Sequence, residues 1–461
     1  MRGLLNPGYC LPAAIILQCW LSLPFATAAT YVQPFPKDMD KVDFYLHTQN
    51  VGNLVFNNFG HTAIRVHDRQ SRRNLIYNWG IFDFDTPLSF SLRFFKGILR
   101  YELGISSMST TMRRYRREQR TTWENKLNLT RQQKIRLMER LRWHSRAENR
   151  HYNYLYFFDN CSTRPRDYID EALGGRFRSP LHSQDSGRTY REMVRSHYAA
   201  LSFIRIGLET VMNSNLDRNM SVWEHMFLPL ILQQVWMKQI NPENGLPVLG
   251  ESRVLMEGAP PVPWPVHGFA LLALCWLGPV LWLLVWFVYR PWRTGGVKMP
   301  GRLAYRSMGF LAILWGSWAG LVGVVSSVTW IWSGHIDLHH NANLLIFWPV
   351  DFLLIIGGWG WLIKGRPLFK GFPLVRALRL LCLLHGSVII FTGLAWAAGL
   401  IRQDMSQILW GSAWVSLSFF LVAFVSGFGE SGWIRSGWLH FYRPPVGGGP
   451  PRGGEEANHV G

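Results

Sequence analysis

The chain has 461 residues, a formal charge of +19, a hydrophobic fraction of 48% and 23 tryptophans. Charge is concentrated between residues 35 and 255 and the long apolar runs lie at the two ends, which excludes a single soluble globule. A basic balance can serve nucleic acid, but Lys and Arg beside apolar spans favour anionic phospholipid, at about 1 kcal/mol each near the surface. No nucleic-acid partner is expected.

Residues 1–29 read as a signal peptide or N-terminal anchor, with Arg2, an apolar run over Leu11–Leu23, and the small-x-small pattern Ala26-Thr27-Ala28. Cys19 follows the bulky Gln18, which does not suit a lipid-attachment site. Residues 30–257 form the expected exported domain. Within it, alternation through Thr62, Ile64 and Val66, a polar turn over Asp68–Asn74, and a second strand near Leu75–Trp79 predict a hairpin with His61 at its open end.

Residues 113–150 are Arg-rich and helical in pattern, and Thr130 with Gln133 predicts a capping box. The run Arg113, Arg114, Arg116, Arg117 and Arg120 reads as a solvated face or as a contact with lipid headgroups. The aromatic segment from Tyr152 then ends at Asp159-Asn160, Cys161 follows, and a helix is expected from about Ser162 to a left-handed cap at Gly174.

Gly258–Pro265 opens a linker, assigned to 258–266. Five transmembrane helices are expected within 267–428, at 267–289, 308–332, 344–363, 377–401 and 407–428. Arg290, Arg293, Lys298, Arg302 and Arg306 lie between the first and second spans, and Lys364, Arg366, Lys370, Arg376 and Arg379 between the third and fourth. The connections around His335–Asn343 and Arg402–Ser406 carry only Arg402 as a basic residue. Positive loops stay inside, so these connections and the 30–257 domain face outward, as in a multi-pass protein of the bacterial inner membrane with its domain in the periplasm. The Pro/Gly-rich tail, within 429–461, is expected to be cytoplasmic and disordered.

Of the five cysteines only Cys161 lies in the hydrophilic part, so that domain has no internal disulfide. A helix start beside Arg164 and Arg166 favours the thiolate, and helix N–H groups are candidate donors to an oxyanion. Against a buried structural thiol, the Asn-Cys-Ser-Thr junction favours a nucleophile. His61 is the best-placed histidine and His151 the runner-up. There is no HExxH, no cysteine pair at metal spacing, no GxxxxGK[ST] and no GxSxG, and no cofactor is expected. His335-x-Asp337-x-His339-His340 has zinc-ligand residue types, but reads better as an interfacial loop touching lipid or substrate.

Three segments together, Gly60–Val66, Tyr77–Phe84 and Asp159–Asp167, resemble the Lnb N-terminal periplasmic domain family, whose order of histidine and cysteine is similar to permuted NlpC/P60-type folds. The resemblance implies an α+β, papain-type periplasmic domain followed by an all-α, five-helix transmembrane region. It also implies lipoprotein N-acylation, with membrane phospholipid as acyl donor and bacterial lipoproteins as acceptor. The implied roles are Cys161 as nucleophile and His61 as base, with Asn78 or Tyr77 orienting the imidazole; only one of the last two can share its sheet face. Substrate-binding candidates are Asn160, Arg164 and Arg166 near the thiol, and His335, His340, Asn341 and Asn343 in the outward loop. The alternatives are a cell-wall or peptide amidase and a non-catalytic lipid-binding module.

Overall fold

The structure, a computed structural model, describes residues 33–52, 54, 57–81, 87–198, 202–258, 298–365 and 373–428, with Val280, Leu283 and Leu284. The signal at 1–29, the first expected span apart from those three residues, the linker beyond Gly258, and the tail 429–461 lie outside the described residues.

The exported part is built on strands β1 (Val42–Gln49), β2 (His61–Asp68) and β3 (Arg73–Ile81), then helix α1 (Pro87–Lys96) and β4 (Arg100–Ser107). Helix α2 (Met108–Glu118), β5 (Thr122–Leu127), α3 (Arg131–Ser145), β6 (His151–Asn153) and α4 (Thr163–Ala172) follow. After β7 (Asp185–Thr189) come α5 (Tyr190–His197), α6 (Ser202–Val211), β8 (Asn219–Ser221), α7 (Pro229–Lys238) and β9 (Leu249–Met256). The main sheet has the order β6-β4-β3-β2-β1-β5-β9, and its paired strands are antiparallel.

The expected hairpin is β2–β3, with Ala63 opposite Asn78 and Ile64 opposite Tyr77. Strand alternation sends Phe44, Leu46, Ile64, Val66, Tyr77 and Trp79 to one face, where Leu137, Leu141, Ile169, Leu232 and Trp236 from α3, α4 and α7 complete the core. Burying each large side chain there contributes roughly 1.5–3 kcal/mol. The other face is polar and still buried. His47 lies 2.9 Å from Glu124, which also accepts from Arg65 at 2.5 Å, and Tyr115 of α2 reaches His47 at 3.3 Å.

The helical pattern over 113–150 is not continuous: β5 separates α2 from α3 and pairs with β1. The Thr130–Gln133 capping box opens α3. Past Gly258, α8 (Lys298–Trp332), α9 (Leu353–Lys364), α10 (Pro373–Ala397) and α11 (Ser406–Phe428) form the helical region. Three stretches among the described residues are long and apolar enough to cross a membrane: Arg302–Trp332, Arg376–Ala397 and Ser406–Phe424.

The span expected at 344–363 is different. Ile336–Leu345 and Pro349–Lys364 form a pair bent by 56°, a broken span or a re-entrant loop, so the described residues hold three or four spans and not the full expected five. The break has a local cause. Asn341 and Asn343 donate to the Glu209 and Thr210 carbonyls at the end of α6, at 2.8–3.1 Å, and Pro349 starts a new turn.

Candidate active site

Gly60 has φ +85°, and a Cβ there would meet the Gln49 carbonyl at 2.6 Å; the chain therefore enters β2 at His61 through a turn that glycine accommodates. Cys161 reaches the same place from the other direction. Asn160 Oδ1 accepts from the Ser162 and Thr163 N–H groups at 2.8 and 2.9 Å, while Nδ2 donates to the Tyr156 and Phe227 carbonyls at 3.0 and 3.1 Å. This buried amide fixes the turn into α4, and Gly174 closes that helix at φ +89°.

The two ends meet one residue beyond each. The Thr62 and Ser162 hydroxyls are 3.0 Å apart, and the Thr62 backbone N–H together with the Ser162 hydroxyl faces the Cys161 sulfur. His61 directly precedes Thr62, so His61 and Cys161 stand at the same end of β2, both half-buried. Asn78 shares the His61 face and lies 2.5 Å from Nε2. Tyr77 points to the opposite face, fully buried in the core, which leaves Asn78 as the group beside the imidazole.

The electrostatics differ from the expected thiolate. Burial pushes the Cys161 thiol above its ordinary value, and the Thr62 N–H and Ser162 hydroxyl offset this only in part. Burial, then the positive charges of Arg114 and Arg120, lowers His61 to about 4. The resting pair is a neutral thiol beside a neutral imidazole. Arg114 and Arg120, grouped in sequence with a solvated run, are half-buried and buried respectively, whereas Arg113, Arg116 and Arg117 are exposed. Their signal was helical spacing: Thr111, Tyr115 and Glu118 turn the same way as Arg114.

Around the thiol, Tyr101, Tyr152 and Tyr154 make an aromatic wall. The Tyr101 and Tyr154 rings stack at 4.3 Å, and the negative charge of a thiolate would raise all three phenols further above their buried values. Residues 37–195, which contain all of these side chains, match the family model of the Lnb N-terminal periplasmic domain. Comparison with curated proteins and with solved structures gave no match.

Several expected substrate contacts of the Lnb domain are engaged internally. Asn160 is the turn clamp just described. Arg164 forks onto Asp159 and lies over the Tyr152 ring at 4.4 Å. Arg166 donates to Asp167 and the Trp223 carbonyl and stacks on Trp223. Helix N–H groups of Ser162 and Thr163 are taken by Asn160, so the backbone N–H groups beside the sulfur are those of Thr62 and of Cys161 itself.

Asn341 and Asn343, both buried, dock the outward loop to α6; His340 packs on Trp330 at 4.9 Å, and His335 follows Gly334, whose N–H donates to the Lys96 carbonyl. Asn341 and Asn343 are therefore docking residues of this loop. His339 points to the Ser333 carbonyl at 2.7 Å, and among the described residues no three His, Cys, Asp or Glu side chains gather as a metal site requires.

The Lnb domain sits on the two connections that the charge pattern places outward. Asn213 donates to the Ile336 and His339 carbonyls, and Arg195 bonds Asp404 at 2.7 Å. The chain is a membrane protein with a periplasmic domain.

Proposed function

We propose that the protein is an N-acyltransferase of bacterial lipoproteins that carries an acyl chain from membrane phospholipid on Cys161. The observation that supports the reading is the meeting of β2 and α4, which brings the half-buried thiol of Cys161 to the start of the strand that His61 opens, in a domain seated on apolar spans. The wall of Tyr101, Tyr152 and Tyr154 suits an acyl chain, and the family match supports lipoprotein processing.

In this reading His61 takes the thiol proton as Sγ attacks the ester carbonyl, and the Cys161 N–H faces the developing oxyanion. The ester C–O bond breaks, His61 returns the proton to the departing alkoxide, and a thioester remains. The α-amine of a diacylglyceryl lipoprotein then attacks, the C–S bond breaks, and the amine proton passes through His61 back to sulfur. A neutral resting pair fits general-base attack, in which charge appears only as the reaction proceeds.

Incubation of the full-length protein with acyl-labelled phospholipid should leave label that neutral hydroxylamine releases, with none on Cys161→Ala. Label that persists on the alanine variant, or wild-type label that resists hydroxylamine, would refute the thioester.

A further inference from the structure

The imidazole has a second neighbour that discriminates between its protonation states. Behind Asn78, the Arg114 guanidinium places two N–H-bearing nitrogens 2.8 and 3.1 Å from the amide. A guanidinium only donates, so the amide end facing it is the carbonyl. That turns Nδ2 toward His61, 2.5 Å from Nε2, and Nε2 must accept. A neutral imidazole then carries its hydrogen on Nδ1. An imidazolium, with hydrogens on both nitrogens, would meet a donor where it needs an acceptor.

We propose that Arg114 is a positioning residue that sets the tautomer of His61 through the Asn78 amide, and that the thiol can hand over its proton only after this amide turns. The inference rests on the reading of Cys161 and His61 as a catalytic couple and adds a device that controls it. With the amide as Arg114 holds it, Nδ1 already bears hydrogen and the Nε2 lone pair is occupied. With the amide turned, the imidazole gives up its Nδ1 hydrogen to water and takes one from water on Nε2, Oδ1 accepts from that Nε2–H, and the Nδ1 lone pair is free for the proton from Sγ.

Apart from the carbonyl, Arg114 has long contacts, among them the Tyr115 ring 5.5 Å from its guanidinium. Its Nε makes no hydrogen bond, Glu118 is 3.6 Å away, and Glu118 is already bonded to Arg120 at 2.5 Å. An anionic group arriving at the guanidinium would compete directly with the Asn78 carbonyl. The charged groups facing His61 agree with a guarded resting state: Arg114 of α2 and Arg120 beyond it oppose a second proton, Glu118 favours it, and β1 presents the neutral Gln49 opposite.

The test uses the full-length protein in detergent and two readouts that need no lipid substrate. One is the rate of Cys161 alkylation by iodoacetamide from pH 5 to 9, followed on the Cys161 peptide by mass spectrometry. The other is the nitrogen NMR signature of the His61 tautomer. Asn78→Asp supplies a permanent acceptor, and should raise alkylation at pH 6 by about tenfold and remove the Nδ1–H tautomer. Arg114→Met should move wild-type protein from Nδ1–H to Nε2–H, a change that loss of a distant charge alone would not produce.

An Nε2–H tautomer in the wild type would overturn the proposal, as would an Asn78→Asp alkylation profile that matches it. Failure of the couple reads out separately: an Asn78→Asp alkylation gain that survives unchanged when His61→Ala is added would remove the pair on which both readings depend. Loss of lipid transfer with these alkylation and NMR results intact would count against the acyltransferase reading alone.

Discussion

Gly60, His61 and Cys161 show how narrowly the site is positioned. Gly60→Ala puts a Cβ 2.6 Å from the Gln49 carbonyl in a left-handed conformation, and should cost about 1–3 kcal/mol. It should lower the melting temperature and slow Cys161 alkylation together; an unchanged melting curve would contradict the strain. Protons give a second expectation. Burial holds His61 at about 4 and, with Arg164 and Arg140 adding positive charge, His144 at about 3, both below the unfolded value near 6.5. The unfolded chain binds more protons below pH 6.5, so stability present above that pH is lost as pH falls towards 4. Melting temperatures measured from pH 7.5 to 4.5 should decline, and His144→Gln should flatten the decline. At this scale the sequence made Cys161 legible by isolation and His61 by its place before a strand. It did not separate Asn78 from Tyr77, because only the register Ala63–Asn78 tells which face each takes.

Helix α4 depends on one side chain outside it. Asn160→Ala would leave the Ser162 and Thr163 N–H groups and the Tyr156 and Phe227 carbonyls without their partner, a loss of about 2–3 kcal/mol. Asn160→Asp keeps the acceptor but loses both donations, so its melting temperature should fall between those of wild type and Asn160→Ala. Local patterns were readable at this scale: alternation gave β2 and β3, Thr130–Gln133 opened α3, and Gly174 ended α4. Strand β5 was hidden in an Arg-rich stretch because β1 and β9, far away in sequence, make it a strand. Arg114 was hidden for a similar reason: which side of α2 is inside depends on the sheet it covers.

Across the molecule, the periplasmic domain is fastened to the helical region by contacts of unequal weight. Arg195 and Asp404 are partly exposed, at 20% and 33% of their side chains, so that pair contributes at most about 1 kcal/mol. Asn343 is buried and satisfies two carbonyls at the end of α6. Asn343→Ala should therefore increase hydrogen exchange in α6 and 336–352 far more than Asp404→Asn does; equal effects would contradict the ranking. Deeper in the helical region, fully buried Asp351 meets His385 at 2.7 Å, and Trp348 packs on that imidazole. Removing one partner leaves the other's buried polar group without its neighbour, a loss of about 1–3 kcal/mol, so His385→Ala should lower the melting temperature in detergent. Hydropathy over 344–363 could not reveal the bend, because the breaking contacts come from α6, more than a hundred residues earlier.

The tyrosine wall has a consequence for where a reactive intermediate goes. Burial holds Tyr101, Tyr152 and Tyr154 well above the ordinary phenol range, so all three stay uncharged at physiological pH. The stacked rings of Tyr101 and Tyr154 present an apolar, un-ionised surface near the sulfur. In the proposed cycle, a thioester in that surrounding would partition between an incoming amine and stray water, and the wall tilts the ratio toward the amine. A polar opening such as Tyr154→Ser should leave thioester formation in place while raising the share lost as free fatty acid. The surface that welcomes the acyl chain would then also decide its fidelity.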